Sequence, residues 1–274
     1  MLPQLKLDAV AVAELLTGFI AQEIGKIGLS RAVIGLSGGV DSALSAALSV
    51  RALGAENVHC VMMPYSGSSP DSIAHAELLI SQLGVRSERV DITPLVDPLI
   101  ALEPEMDRVR RGNIMARARM IVLYDRSSRE RALVVGTGNK TEMMLGYSTL
   151  FGDSACAINP LGDLYKTQVW QLSEYLDIPD VIIRKAPSAD LWAGQTDEAE
   201  LGFTYERIDE LLVQMVDERQ TDTQLAARGF DAAFISSIRN LIRRNQFKRM
   251  PPVIAKVGFR TVNADFRYPR DWGV

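Results

Sequence analysis

Residues 31–42, RAVIGLSGGVDS, restrict the fold of this chain more than any other stretch. Residues 32–36 are an apolar run of strand length, and Ser37, Gly38 and Gly39 then carry almost no side-chain bulk. From Asp41 to residue 53 the apolar positions Leu44, Ala47 and Leu48 recur at helical spacing. A strand, a glycine turn and a helix in that order gather free backbone N–H groups and the positive end of a helix dipole around one point. That point is a cradle for an anion such as phosphate. No G-x-x-x-x-G-K-[ST] occurs in the chain, so the cradle has no lysine of its own and needs cations from elsewhere. A plain tight turn also accounts for Gly38-Gly39. Asp41 bears on the choice: a carboxylate beside polyphosphate repels it unless a divalent metal bridges the two, although an aspartate there also caps a helix.

Further strands are predicted at residues 58–63, 86–92 and 132–136, with helices at 42–53, 71–83 and 113–129 between them. Alternation at this spacing implies an α/β fold, a doubly wound parallel sheet with right-handed crossovers. An amphipathic helix over residues 8–26 precedes it, with Val12, Leu15, Leu16, Phe19 and Ile24 available for a core. Beyond about residue 160 the periodicity is helical, at 166–176, 205–217 and 231–244, and residues 185–202 read as a long polar loop. The chain therefore reads as one domain over residues 1–274, with a helical C-terminal part from about 160 to 274. Ligands on such sheets sit at the carboxyl ends of the strands. Both Ser37-Gly38-Gly39 and Gly136-Thr137-Gly138 fall there.

Composition excludes several chemistries. His59 and His75 are the only histidines and Cys60 and Cys156 the only cysteines, which argues against zinc catalysis, a Ser-His-Asp triad and a disulfide framework. A net charge of −4 gives no pull toward nucleic acid or anionic lipid. No apolar run has membrane-spanning length, and Asp8, Glu14 and Glu23 break any signal-peptide pattern, so a reducing cytoplasm is expected.

The segment GTGNKTEMMLGYSTLFGD (residues 136–153) follows an apolar strand. Glu142 falls on the first turn of a short helix there. It can complete a Mg²⁺ site with Asp41, phosphate oxygens and waters, or simply favour the helix dipole. Together with the SGGVDS string, this segment resembles the NAD synthetase family of the ATP pyrophosphatase superfamily. The stretches GNIMARARM, KAPSADL and QTDEAELG and the pair Lys248-Arg249 match it too, in order along the chain. The resemblance implies an adenine nucleotide alpha hydrolase-like, Rossmann-like fold. It also implies a two-step reaction: the carboxylate of deamido-NAD attacks the α-phosphorus of ATP, and ammonia then converts the acyl-adenylate to NAD and AMP.

By the same resemblance, Gly35, Leu36, Ser37, Gly38, Gly39, Val40, Asp41 and Ser42 hold the pyrophosphate end of ATP, the co-substrate. Met62, Thr137, Lys166 and Ser188 make further ATP contacts. Asp41 and Glu142 bind Mg²⁺; Asp41, Lys166 and Asp153 are the catalytic candidates. Arg117, Leu150, Ala157, Phe247 and Lys248 fall at deamido-NAD positions. Taken alone, Lys166 reads as a solvated helix-start lysine and Met62 as core. Family members are homodimers, and the helix at 113–129 is the interface candidate, although its apolar face also suits an ordinary core.

Three positions depart from the pattern of the ammonia-using enzymes. Leu150 replaces a lysine, Ala157 an aspartate and Phe247 a histidine. The segment GYSTLFGD (residues 146–153) and the ending Phe266-Arg267-Tyr268-Pro269 look more like the synthetase half of the glutamine-dependent branch, but the amidase domain of that branch is not expected here, since the N-terminal helix leads almost directly into the first strand. Direct use of ammonia is expected, with a separate glutaminase partner left open. The rival readings are another adenylating ATP pyrophosphatase (GMP synthetase-like or tRNA-modifying) and a nucleotide-binding protein without chemistry.

Overall fold

The structure is a computed structural model that describes residues 2–188, 190, 192, 194–250 and 252–262. The Phe266–Pro269 ending noted above lies outside the described residues. Helix α1 (Ala9–Gly25) leads into β1 (Ala32–Gly35), α2 (Val40–Leu53), β2 (Val58–Met62), α3 (Pro70–Leu83) and β3 (Arg86–Arg89). Then come α4 (Thr93–Ala101), α5 (Arg108–Glu130), β4 (Leu133–Val134) and α6 (Lys140–Leu145). The rest is helical: α7 (Lys166–Tyr175), α8 (Asp180–Ile183), α9 (Asp197–Leu201), α10 (Tyr205–Leu212), α11 (Asp222–Ala227) and α12 (Ala232–Arg244).

The sheet is parallel in the order β3-β2-β1-β4, with Ala32 opposite both Val58 and Leu133. The chain moves outward from β1 through β2 to β3 and then returns to β1's other side, so strand order reverses between β1 and β4. That is where an open α/β sheet forms its ligand crevice. Side chains alternate across the sheet. Ala32, Ile34, Cys60 and Met62 enter one apolar core with α1, α2 and α7. Val33 and Val61 enter another with α5 and Val96 of α4. A third core joins Leu5 and Leu145 to α10, α11 and α12.

Several predicted boundaries shift for physical reasons. Leu15 is 66 % exposed, because the stripe that α1 buries is Ala13, Leu16, Ile20 and Ile24. The strand predicted over 86–92 stops at Arg89: it is the charged edge, and Ile92 is already the N-cap of α4. Helix α4 was not predicted, since Pro94 and Pro98 mask its periodicity. The strand predicted over 132–136 pairs with β1 only at Leu133 and Val134. Val135 then bridges Ile158 in parallel, so the chain after α6 returns beside β4. The predicted helix over 205–217 closes with a π-helical turn at Val213–Asp217. Within the predicted loop at 185–202, Thr196 caps the short helix α9.

Candidate functional site

The turn after β1 is built by its own serines. Ser42 Oγ donates to the Gly39 carbonyl at 2.9 Å and accepts from the Ser37 N–H at 3.2 Å, while Gly39 N–H donates to Ser37 Oγ at 3.3 Å. Gly39 caps α2, leaving the first-turn N–H groups without intrahelical acceptors. Gly38 has φ +75°, and a Cβ on it would lie 2.0 Å from the Ser72 carbonyl oxygen of α3. The cradle is thus closed against α3 at Gly38 and open above Gly39 and Val40.

Four side chains from three elements converge beside it. Asp41 stands on the first turn of α2 and Glu142 on the first turn of α6. Asn139, fully buried, is the N-cap of α6. Its Oδ1 accepts the Glu142 N–H at 2.9 Å, the Glu142 carboxylate accepts the Asn139 N–H at 3.3 Å, and its Nδ2 donates to Asp41 Oδ1 at 2.9 Å. Lys166, the first residue of α7, is 2 % exposed. Its ammonium pairs with Asp41, lies 3.5 Å from Glu142 Oε1 and stands 5.2 Å from the Tyr205 ring centre. Burial opposes the charge of Lys166, but Asp41 and Glu142 outweigh it and hold the ammonium protonated above its ordinary range. Burial first, and then Asp41, raise the Glu142 carboxyl.

Beneath this cluster, Asp209 of α10 accepts from Thr141 Oγ1 at 2.6 Å, Thr167 N–H at 2.8 Å and Thr167 Oγ1 at 2.9 Å. Thr141 Oγ1 also accepts the Lys166 N–H at 3.0 Å. The helical C-terminal part thereby fixes the first turns of both α6 and α7.

A cavity of about 460 Å³ opens over these groups. Of the residues proposed from sequence, Gly35, Leu36, Ser37, Gly39, Val40, Asp41, Ser42, Met62, Thr137, Glu142, Asp153, Lys166, Ser188 and Lys248 line it. Gly38 faces Ser72 instead. Arg117, Leu150, Ala157 and Phe247 do not line this cavity. Arg117 is exposed and donates to the Leu150 carbonyl at 3.3 Å, Ala157 N–H bonds the Val134 carbonyl at 2.9 Å, and Phe247 is 58 % exposed. Lys248 Nζ donates to the Gly146 and Ser148 carbonyls at 2.6 Å each, which ties the chain after α12 to the cavity wall.

Sequence reasoning missed Asn139, Lys185, Arg119, Tyr205 and Asp209. The pattern N-x-x-E at Asn139 and Glu142 is a capping box and was legible. Arg119 lies two positions beyond Arg117 on α5. It is Arg119 that lines the cavity, its Nε donating to the Met63 carbonyl at 3.1 Å.

Two carboxylates converging on one ammonium are a donor set suited to a hard cation. No cluster of three or more His, Cys, Asp or Glu side chains that could hold a metal occurs among the described residues.

The fold and the site define a nucleotide-binding α/β protein with an anion cradle at the switch point of its sheet. The family model of NAD synthase matches residues 12–252, and the chain belongs to that family. It is 55 % identical over 270 residues to the NH(3)-dependent NAD(+) synthetase of Trichlorobacter lovleyi, covering 98 % of this chain and 99 % of that one. Among solved structures, NMN synthetase from Francisella tularensis superposes with TM-score 0.82 at 33 % identity, covering 91 % of this chain and 99 % of that one. The NH3-dependent NAD synthetase of Campylobacter jejuni superposes with TM-score 0.79, also at 33 % identity, covering 92 % and 100 %. No helix among the described residues is long and apolar enough to cross a membrane.

Proposed function

We propose that this chain is an ammonia-dependent NAD synthetase, converting deamido-NAD to NAD with ATP. The observation that carries the reading is the convergence of Asp41, Asn139, Glu142 and Lys166 beside the Ser37–Ser42 cradle. A carboxylate oxygen of the nicotinate attacks the α-phosphorus, and the bond from that phosphorus to the β-phosphate bridge breaks. Pyrophosphate leaves into the cradle, whose N–H groups receive its charge. Ammonia then attacks the activated carbonyl, the acyl–phosphate bond breaks, AMP leaves, and the nitrogen gives up a proton. No side-chain nucleophile is required; positioning and charge neutralisation carry the catalysis.

Asp41 and Glu142 would hold Mg²⁺, which would neutralise phosphate charge in the first step. Asn139 orients both carboxylates. Lys166 balances their charge and, with Thr137 and Ser188, contacts ATP. Asp153, whose Oδ1 accepts the Thr149 N–H at 2.7 Å, lines the same cavity and is the further catalytic candidate. The exposed apolar residues Leu99, Val109, Ile121 and Tyr124 on α4 and α5 suit a homodimer, with Arg117, Leu150, Ala157 and Phe247 serving deamido-NAD at the subunit boundary. The chain acts as one domain, and its free Cys60 and Cys156 suit a reducing cytoplasm.

The test combines protein, Mg-ATP and deamido-NAD with either ammonium or glutamine, reading NAD, AMP and pyrophosphate. NAD is expected with ammonium. NAD from glutamine alone would overturn the ammonia assignment, and no NAD from either donor would overturn the activity. Asp41→Asn and Glu142→Gln are each expected to lose most turnover while the fold survives.

A further inference from the structure

The cradle needs cations, and the buried lysine beside it is already engaged. Lys166 faces two carboxylates, so Asp41, Glu142 and Lys166 together carry one net negative charge when all are ionised. A second lysine stands on the other side of the turn. Lys185 Nζ donates to Ser72 Oγ at 2.8 Å, and Ser72 is the α3 residue whose carbonyl lies against Gly38. Ser72 is buried, and Lys185 lines the same cavity as Ser37, Gly39 and Val40. Among the described residues, Lys185 has no carboxylate within ion-pair distance; its only hydrogen-bond partner is a neutral hydroxyl. Burial lowers its pKa, and Asp190 and Asp71 lie near enough to oppose that without pairing. A half-buried ammonium with two further donors and no anionic partner is suited to receive an anion.

We propose that Lys185 is the cradle's missing lysine, supplied from a distant segment: its ammonium, held by Ser72 beside Gly38, binds the pyrophosphate end of ATP. This rests on the reading of residues 37–42 as a phosphate cradle. In a P-loop the lysine follows the glycine turn directly. Here the helix after the turn presents Asp41, and the lysine arrives from the chain after α8.

The test is calorimetric binding of inorganic pyrophosphate with Mg²⁺ to wild type, Lys185→Gln, Lys185→Arg and Ser72→Ala, alongside KM for ATP and for deamido-NAD. Lys185→Gln is expected to weaken pyrophosphate and raise KM for ATP by about tenfold or more, the scale of one charge-assisted contact. KM for deamido-NAD should change little. Lys185→Arg should retain most of the affinity, and Ser72→Ala, which removes the tether but keeps the charge, should fall between. Wild-type binding with unaltered Lys185→Gln would overturn the role of Lys185 alone. Equal losses in Ser72→Ala and Lys185→Gln would also overturn it, marking the lysine as a loop tether. Wild type that binds neither pyrophosphate nor ATP would overturn the cradle itself, and with it the proposal.

Discussion

Asn139 and Asp41 stand 98 positions apart, and the Asn139 amide donates to Asp41 Oδ1 at 2.9 Å while its own oxygen caps the helix that carries Glu142. One buried side chain thus sets the distance between the two carboxylates of the site. It does so from the strand end opposite the cradle, across the point where strand order reverses.

The two jobs of Asn139 should separate by substitution. Asn139→Ala loses the cap and the bond to Asp41, with an expected destabilisation of about 1–2 kcal/mol. Asn139→Ser keeps a capping oxygen but is too short to reach Asp41. It should recover most of the stability and little of the turnover. Denaturant unfolding beside steady-state rates checks this; a serine variant with full turnover would show that the bond to Asp41 is dispensable.

Adjacent glycines in the cradle should respond differently. Gly38 has φ +75° and no room, since an added Cβ would sit 2.0 Å from a backbone oxygen of α3. Gly38→Ala should cost about 2 kcal/mol or more and move α3. At Gly39 the nearest atom to a new Cβ is Ser37 Oγ at 3.4 Å, an ordinary contact. Gly39→Ala should fold nearly as wild type, within about 1 kcal/mol. Thermal melts of the two variants would decide, and equal losses would contradict the packing against Ser72.

The alternating strands and helices were legible because a period of two and a period of 3.6 are visible in single segments. So were Asp41, Glu142 and Thr137, which sit on short motifs at strand ends. What stayed hidden depended on contacts between distant segments. Lys166 looked like an exposed helix-start lysine, yet it is buried, because α7 packs between α2 and α10. Asp209 lies in an amphipathic helix, and nothing local shows that its carboxylate meets Thr141 and Thr167. Arg117 and Arg119 share one helix, and only the placement of α5 on the sheet decides which of them reaches the cavity.

Lys166 makes a metal-dependent expectation. Lys166→Met leaves Asp41 and Glu142 facing one another without a cation, which should cost about 3 kcal/mol, the scale of breaking a buried pair. A divalent ion held by the same carboxylates would offset that loss. The melting temperature of Lys166→Met should therefore rise on adding Mg²⁺ by more than that of wild type. A variant indifferent to Mg²⁺ would separate Asp41 and Glu142 from metal binding.

Asp209 gives stability a pH dependence of unusual sign. It is fully buried, and burial pushes its carboxyl up to about 6, against the pull of its bonds from Thr141 and Thr167. In the unfolded chain it titrates near about 3.9. Between these values the folded state keeps a proton that the unfolded state has released, so this group's contribution to stability falls as pH rises. The stabilisation is complete below about 4, is lost through the window to about 6 and changes no further above it. The difference of about two units corresponds to about 3 kcal/mol. Asp209→Asn cannot titrate, and its single acceptor oxygen serves three donors, so it should be less stable than wild type near neutral pH. The gap should widen on acidification from pH 6 to pH 4. Urea unfolding of both proteins across that range measures it directly. A gap that narrows instead would mean that the three hydrogen bonds outweigh burial, and that the carboxylate under Lys166 is charged throughout.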